Sequence, residues 1–290
     1  MSRNFFFMVG APKTGTTSVY EYLKTHPQVF LPSVKEPNFF VEVGNNCPTS
    51  DNINDVIEYL SLYENMPSAT LIAGDCSVSY MHDPLAAEKI RKLIGGDAKI
   101  LIVLRDPCDR AYSHWLMDVR EGFQNLDFLD AVKKDYHSEG RKGFCFSHMY
   151  VECGLYADAI VRFRETFGID KVKIILNGQL KDDPENCLKE IFKFLGVNID
   201  HSIDISARHN TAAEPRNKFV KFLFHNIKLR LFLKKIMPKN LRSNIRKIIT
   251  VSAKDKKISQ IEREFMLKYY YDDILKTEKL IGVNLSTWRK

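Results

Sequence analysis

Three groups of residues in this chain have the types and spacing to do chemistry. The run Pro12-Lys13-Thr14-Gly15-Thr16-Thr17-Ser18 sets one cation among four hydroxyl side chains, with Gly10 just ahead of it. A lysine ringed by hydroxyls in a glycine turn suits a compact anion. Arg105 is followed by Ser113, and an arginine fork with a hydroxyl is a good receptor for a phosphate monoester dianion. Lys35 and Glu36 stand side by side, a pair that more commonly makes only a solvated loop face.

These groups must be carried by regular elements. Phe5 to Val9 reads as a buried strand, and Ser18-Val19-Tyr20-Glu21-Tyr22-Leu23 opens an amphipathic helix. Strand, tight turn and helix N-terminus bring unpaired N–H groups together under a favourable dipole, which is an anion site in itself. Gly10 and Gly15 match the glycines of the G-x-x-x-x-G-K-[ST] loop, but Thr16 holds the lysine position and Lys13 lies inside the loop. A nucleoside-triphosphate enzyme needs that lysine on the outer phosphates and a hydroxyl on magnesium. The plain alternative is a strand-to-helix turn whose Ser and Thr cap the helix.

Ala98 to Leu104, apolar without a break from Ile100 onward, suits a central parallel strand, and it delivers Arg105; Pro107 then starts a helix. A second strand over 69–77 ends in a polar turn that carries Asp75, a carboxylate that either faces a bound molecule or caps the next turn. Pro27, Pro32 and Pro37 make the stretch before Phe39-Phe40 an extended excursion beside the anion loop, with the aromatic pair anchoring it in the core. Periodicity predicts a surface helix over 51–64 with Ile53, Val56, Ile57 and Leu60 on its apolar face. Further helices are expected at 123–137, 155–163 and 184–195, the last ended by Gly196, with a strand at 171–176. A final helix over 258–280 is expected to face inward with Ile261, Phe265, Tyr269 and Ile274, and Trp288 pins the terminus.

At 290 residues, 44% hydrophobic and 27% charged, the chain has the composition of a soluble globular protein. No apolar run reaches the ~18–20 residues that span a membrane, and the first strand begins too early to leave room for a signal peptide. Six scattered cysteines without metal-ligand spacing imply reduced thiols, a cytoplasmic location and no structural zinc. Charge is uneven. Residues 216–257 hold fourteen Lys/Arg and one acidic residue, Asp255, a net +13, which leaves −6 on the rest of a chain whose total is +7. Within that segment, aromatics and lysines alternate at helical spacing from Lys218 to Ile236. Such a face contacts a membrane periphery or an acidic polymer, or simply packs its apolar side and solvates its lysines. Domain organisation is read as an α/β domain over 1–215 and a helical basic extension over 216–290 packed on it.

The loop P-K-T-G-T-T resembles the 5′-phosphosulfate loop of sulfotransferases that use 3′-phosphoadenylyl sulfate. R-D-P-x-x-R-A-x-S at 105–113 resembles their 3′-phosphate motif, and K-E-P-x-F-F at 35–40 resembles the heparan-sulfate branch and its bacterial relatives. The resemblance covers about residues 5–200. It implies an α/β fold with a central parallel sheet flanked by helices, similar in topology to P-loop nucleotide enzymes, with a helical basic C-terminal region. It places the donor's phosphosulfate on Pro12, Lys13, Thr14, Gly15, Thr16, Thr17 and Ser18, and its 3′-phosphate on Arg105 and Ser113, with Arg110 in support. Glu36 becomes the general base and Lys35 a donor or acceptor contact. His114 is the rival base, by analogy with the estrogen-type branch.

Many relatives have G-E-x-[ST]-P-x-Y where this chain has Gly74-Asp75-Cys76-Ser77-Val78-Ser79-Tyr80, so Asp75 keeps a shorter carboxylate and Val78 replaces proline. Tyr156, in G-x-Y-x-x-x-[IL], is a further expected ligand contact. Polar residues 208–217 and the basic loop 139–144 lie where they would cover the nucleotide. The implied reaction moves a sulfuryl group to a carbohydrate or glycolipid hydroxyl or amine, releases adenosine 3′,5′-bisphosphate and needs no metal. Partners are then a glycan or small-molecule acceptor and no nucleic acid. A nucleotide kinase and a non-catalytic binder of acidic glycans or membranes are the alternatives.

Overall fold

A computed structural model describes residues 4–42, 52–136, 143, 147–201, 213–215, 250–252 and 257–290. The expected loop over 139–144, apart from Gly143, lies outside them, as do the amphipathic stretch 218–236 and most of the basic segment.

Five parallel strands form one sheet in the order β2-β3-β1-β4-β5. They are β1 (Asn4–Gly10), β2 (Val29–Phe30), β3 (Ile72–Asp75), β4 (Lys99–Leu104) and β5 (Val172–Leu176). The central strands β1 and β4 are apolar on both faces because both faces are covered. Phe6, Met8, Leu101 and Val103 pack on one side with α1 (Thr16–Lys24) and the later helix Pro184–Leu195; Phe7, Val9, Ile100 and Ile102 pack on the other. Gly74 on β3 is required by packing, since a Cβ there would lie 2.2 Å from the Phe6 ring.

The second face is built by α2 (Val56–Ser61), α3 (Ala86–Ile94), α4 (Pro107–Glu121), α5 (Phe128–Tyr136) and α6 (Ala157–Phe167). After β5 come α7 (Asn177–Asp182), α8 (Pro184–Leu195) and, last, α9 (Gln260–Ile281). Asp106 caps α4 through the N–H groups of Cys108 and Asp109 at 2.9 and 3.1 Å, and Pro107 takes its first turn. Gly196 closes α8 in the left-handed region, as its sequence position predicts.

Two helices differ from expectation in which side they bury. The helix expected at 51–64 is only Val56–Ser61, and Val56, Ile57 and Leu60 are exposed while Tyr59 and Tyr63 are buried. The tyrosines win because their hydroxyls find buried acceptors on β3, Asp75 and the Gly74 carbonyl. In α9 the buried stripe is Met266, Tyr270, Ile274 and Thr277, and Ile261 is exposed. Tyr270 sets this rotation by donating to the Tyr150 carbonyl at 2.7 Å. Met266, Tyr270, Ile274, Leu285 and Trp288 join the same core cluster as Phe7 and Ile102.

Candidate functional site

The anion loop lies at the C-terminal ends of β1 and β4, where Ala11 N–H donates to the Val103 carbonyl at 2.9 Å. Gly15 turns the chain at φ +100° and stands at the N-cap of α1. A glycine cap carries no side chain, and no side chain caps this helix in place of it. Within that turn the Ser18 N–H donates to the Gly15 carbonyl at 3.0 Å, and the glycine cap opens the start of α1 toward the loop, the arrangement of an anion site. Asn177, at the start of α7, donates from Nδ2 to the Thr14 carbonyl at 2.7 Å and fixes the loop from behind. The signal for this role in the sequence is a polar residue at the tip of the neighbouring strand.

Lys13 sits in the left-handed region at φ +69° with its ammonium largely enclosed. Burial first, then the cations Arg120 and Arg105, lower its pKa to about 8, opposed by the charge of Asp118. A buried lysine pressed by two arginines marks a place short of negative charge. Thr16 and Thr17 lie in the first turn of α1 with Ser18 beside them. The expectation for Thr14 needs correcting: its side chain is fully buried and its hydroxyl donates to the Ala11 carbonyl at 2.7 Å, so it shapes the loop rather than offering a hydroxyl to an anion.

Lys35 joins two of the three groups. Its Nζ donates to Thr17 Oγ1 at 3.0 Å and to Glu36 Oε1 at 3.1 Å, and it lies 5.6 Å from the centre of the Tyr20 ring. Glu36 is partly exposed, so the carboxylate opens to solvent beside the anion loop. The aromatic pair behind it is anchored as expected. Phe39 stacks on Tyr59 at 4.5 Å and Phe40 packs edge-on to Phe7 and Tyr80. Burying a ring such as Phe40 is worth ~1.5–3 kcal/mol.

Arg105 leaves β4, and its Nη1 donates to the Lys13 carbonyl at 3.3 Å while Nη2 faces Asp109 at 3.8 Å. Ser113 lies half-buried two turns into α4. Arg263, on α9, clamps the cap of α4 by pairing with both carboxylate oxygens of Asp106. A long-range clamp of this kind has no local sequence signal. A cavity of about 720 Å³ borders Arg105 and is also lined by Asn177, Lys181 and Trp288, a size ordinary for a small-molecule site.

Four other expected residues lie behind this surface instead of on it. Tyr156 is 1% exposed, and its hydroxyl donates to the Arg105 carbonyl at 2.8 Å, so it holds Arg105 from behind. His114 is 1% exposed, 3.2 Å from Arg110 Nη1 and edge-on to Tyr150, which removes it from reach of an acceptor. Arg110, fully buried, also donates to the Tyr150 carbonyl and braces α4. Asp75 is 0% exposed with its oxygens taken by Ser77, Tyr80 and Tyr59, so of its two readings the structure selects the cap. Asp118 is buried near Lys13, where burial lifts its pKa to about 7; its Oδ2 accepts from the Tyr150 hydroxyl and the His148 N–H, both at 2.7 Å.

The chain is similar to proteins of known kind. A model of the sulfotransferase domain matches residues 4–237. Bifunctional heparan sulfate N-deacetylase/N-sulfotransferase 4 of Mus musculus is 30% identical over 200 residues, 66% of this chain and 22% of that protein. Human carbohydrate sulfotransferase 15 is 25% identical over 164 residues, 44% of this chain and 29% of that protein. The chain thus spans less than a third of the length of these curated relatives. Among solved structures, a sulfotransferase from Alicyclobacillus acidocaldarius superimposes with a TM-score of 0.73 at 26% identity, each chain fully covered. Mouse sulfotransferase SULT7A1, solved with PAP, shares the fold at a TM-score of 0.54 and 15% identity, with all of this chain and 90% of that one covered. With a parallel five-stranded sheet and a family model that matches residues 4–237, the chain belongs to the sulfotransferase domain family.

Proposed function

We propose that this chain transfers a sulfuryl group from 3′-phosphoadenylyl sulfate to a hydroxyl or amine of a carbohydrate or glycolipid acceptor, with Glu36 as general base. The observation that carries the reading is the Lys35 ammonium, 3.0 Å from Thr17 and 3.1 Å from Glu36, which ties a solvent-facing carboxylate to the anion loop. The residues fit the donor: the uncapped N-terminus of α1 and Lys13 suit its phosphosulfate, and Arg105 with Ser113 suits its 3′-phosphate. The donor supplies an activated sulfuryl group whose leaving group is adenosine 3′,5′-bisphosphate.

Glu36 takes the proton of the acceptor hydroxyl as that oxygen bonds to sulfur. Lys13 and the α1 N–H groups stabilise the negative charge that gathers on the departing bridging oxygen as the old sulfur–oxygen bond breaks. Lys35 keeps Glu36 aimed and adds positive charge beside the transferring group. The curated relatives named for heparan sulfate and carbohydrate sulfotransfer support a glycan acceptor.

The test is the Glu36→Gln variant, assayed with radiolabelled donor and a panel of desulfated glycans. Turnover is expected to fall at least ~100-fold, the size of a lost general base, with binding of the bisphosphate product intact. Full turnover in that variant would remove Glu36 from the role.

A further inference from the structure

Asp75 is a buried carboxylate that the reaction does not use, 0% exposed at the end of β3. Burial pushes its pKa up to about 6, opposed by the hydroxyls that donate to it, and as a carboxylate it can only accept hydrogen bonds. Ser77 Oγ donates to Oδ1 at 2.6 Å, and the Tyr80 and Tyr59 hydroxyls donate to Oδ2 at 2.7 and 3.0 Å. Because Ser77 and Tyr80 spend their protons on Asp75, their lone pairs are free to accept elsewhere. Ser77 Oγ accepts the Asn38 N–H at 3.1 Å, and the Tyr80 oxygen accepts the Phe39 N–H at 3.1 Å. Asn38 is held in the left-handed region at φ +52°. Its Nδ2 donates to the Glu36 carbonyl at 2.9 Å, and its Oδ1 accepts from Ser79 at 2.5 Å.

We propose that Asp75 is a positioning residue for Glu36: by orienting the Ser77 and Tyr80 hydroxyls it fixes the backbone of Asn38 and Phe39 and so the aim of the Glu36 carboxylate. The inference rests on the reading of Glu36 as the base. The argument is one of donors and acceptors. An amide at position 75 has one acceptor oxygen and one donor nitrogen. Whichever way it turns, the proton of Ser77 or of Tyr80 loses its acceptor in a site closed to water. That hydroxyl then holds a buried proton without an acceptor, and any turn it makes to find one takes its lone pair away from the backbone N–H it accepts.

The experiment measures kcat and bisphosphate affinity for Asp75→Asn, Tyr80→Phe and Ser77→Ala, alone and combined with Glu36→Gln. Asp75→Asn is expected to lower kcat ~10- to 100-fold while bisphosphate affinity changes less than about twofold, because the network reaches the anion loop at one remove, through Glu36 and Lys35. On the residual rate of Glu36→Gln the same change should have no further effect, since the base it positions is already gone. If Asp75→Asn does not fold, Tyr80→Phe and Ser77→Ala each remove one arm and should lower kcat in the same direction. Wild-type kcat in these variants, or a full additive loss on top of Glu36→Gln, would overturn the inference. Full turnover in Glu36→Gln would instead overturn the base assignment, whatever Asp75 does.

Discussion

Lys35 Nζ lies 3.0 Å from Thr17 Oγ1, a hydrogen bond that crosses eighteen residues and fastens the extended excursion to the first turn of α1. Replacing Lys35 with Ala removes that bond and the 3.1 Å contact to Glu36 together. A charged hydrogen bond contributes ~1.5–3 kcal/mol, so kcat/KM should fall about 10- to 100-fold. Steady-state kinetics with donor and glycan varied in turn would check it, and an unchanged kcat/KM would show the link to be idle.

Lys13 gives a pH dependence whose sign follows from its lowered pKa. Burial and the neighbouring arginines bring it to about 8, so above that pH the folded protein sheds a proton that the unfolded chain keeps up to about 10.5. Through this group, stability rises between those two values. Anion binding needs the charged form and therefore weakens as pH rises through about 8. Calorimetric affinity for the bisphosphate across that range should show the decline in the wild type, and the Lys13→Ala variant should bind weakly with no such decline.

Gly15 is the residue that the loop cannot exchange. A Cβ there would meet Asn177 Nδ2 at 2.7 Å, in a backbone conformation at φ +100° that costs an L-residue ~1–2 kcal/mol. Gly15→Ala should lower the denaturation midpoint and weaken bisphosphate binding together, because Asn177 holds the loop by its Thr14 carbonyl. Chemical denaturation with and without ligand would measure both.

Tyr156 acts at one remove. Its hydroxyl donates to the Arg105 carbonyl at 2.8 Å from a fully enclosed position. Tyr156→Phe removes a bond of ~1 kcal/mol and should weaken bisphosphate affinity about fivefold. A loss as large as that of Arg105→Ala would mean that the tyrosine contacts the ligand itself.

The sequence made β1, β4, α4 and α8 legible because each is marked locally: apolar runs, a proline at a first turn, a glycine at a last. It placed Lys13, Arg105 and Glu36 near the surface they share because each follows directly from a strand or a proline-rich excursion. Burial of Asp75, His114 and Tyr156 was not legible, since it depends on partners far along the chain: Tyr59 from α2, Tyr150, and the Arg105 carbonyl. The faces of α2 and α9 were missed for the same reason. Both helices carry apolar residues on more than one side, and buried hydroxyl partners of Tyr59 and Tyr270 chose among them. The Arg263–Asp106 clamp joins residues 157 apart and leaves no pattern to read.

The measurement that bears most directly on the central claim is thermal stabilisation by adenosine 3′,5′-bisphosphate, set beside 5′-AMP and ATP with magnesium. A ligand at a hundred times its Kd adds about 2.7 kcal/mol, a clear shift of the melt. The account predicts stabilisation by the bisphosphate above both other nucleotides, and its loss in Arg105→Ala. Preference for ATP with magnesium, or no response to any of the three, would contradict it.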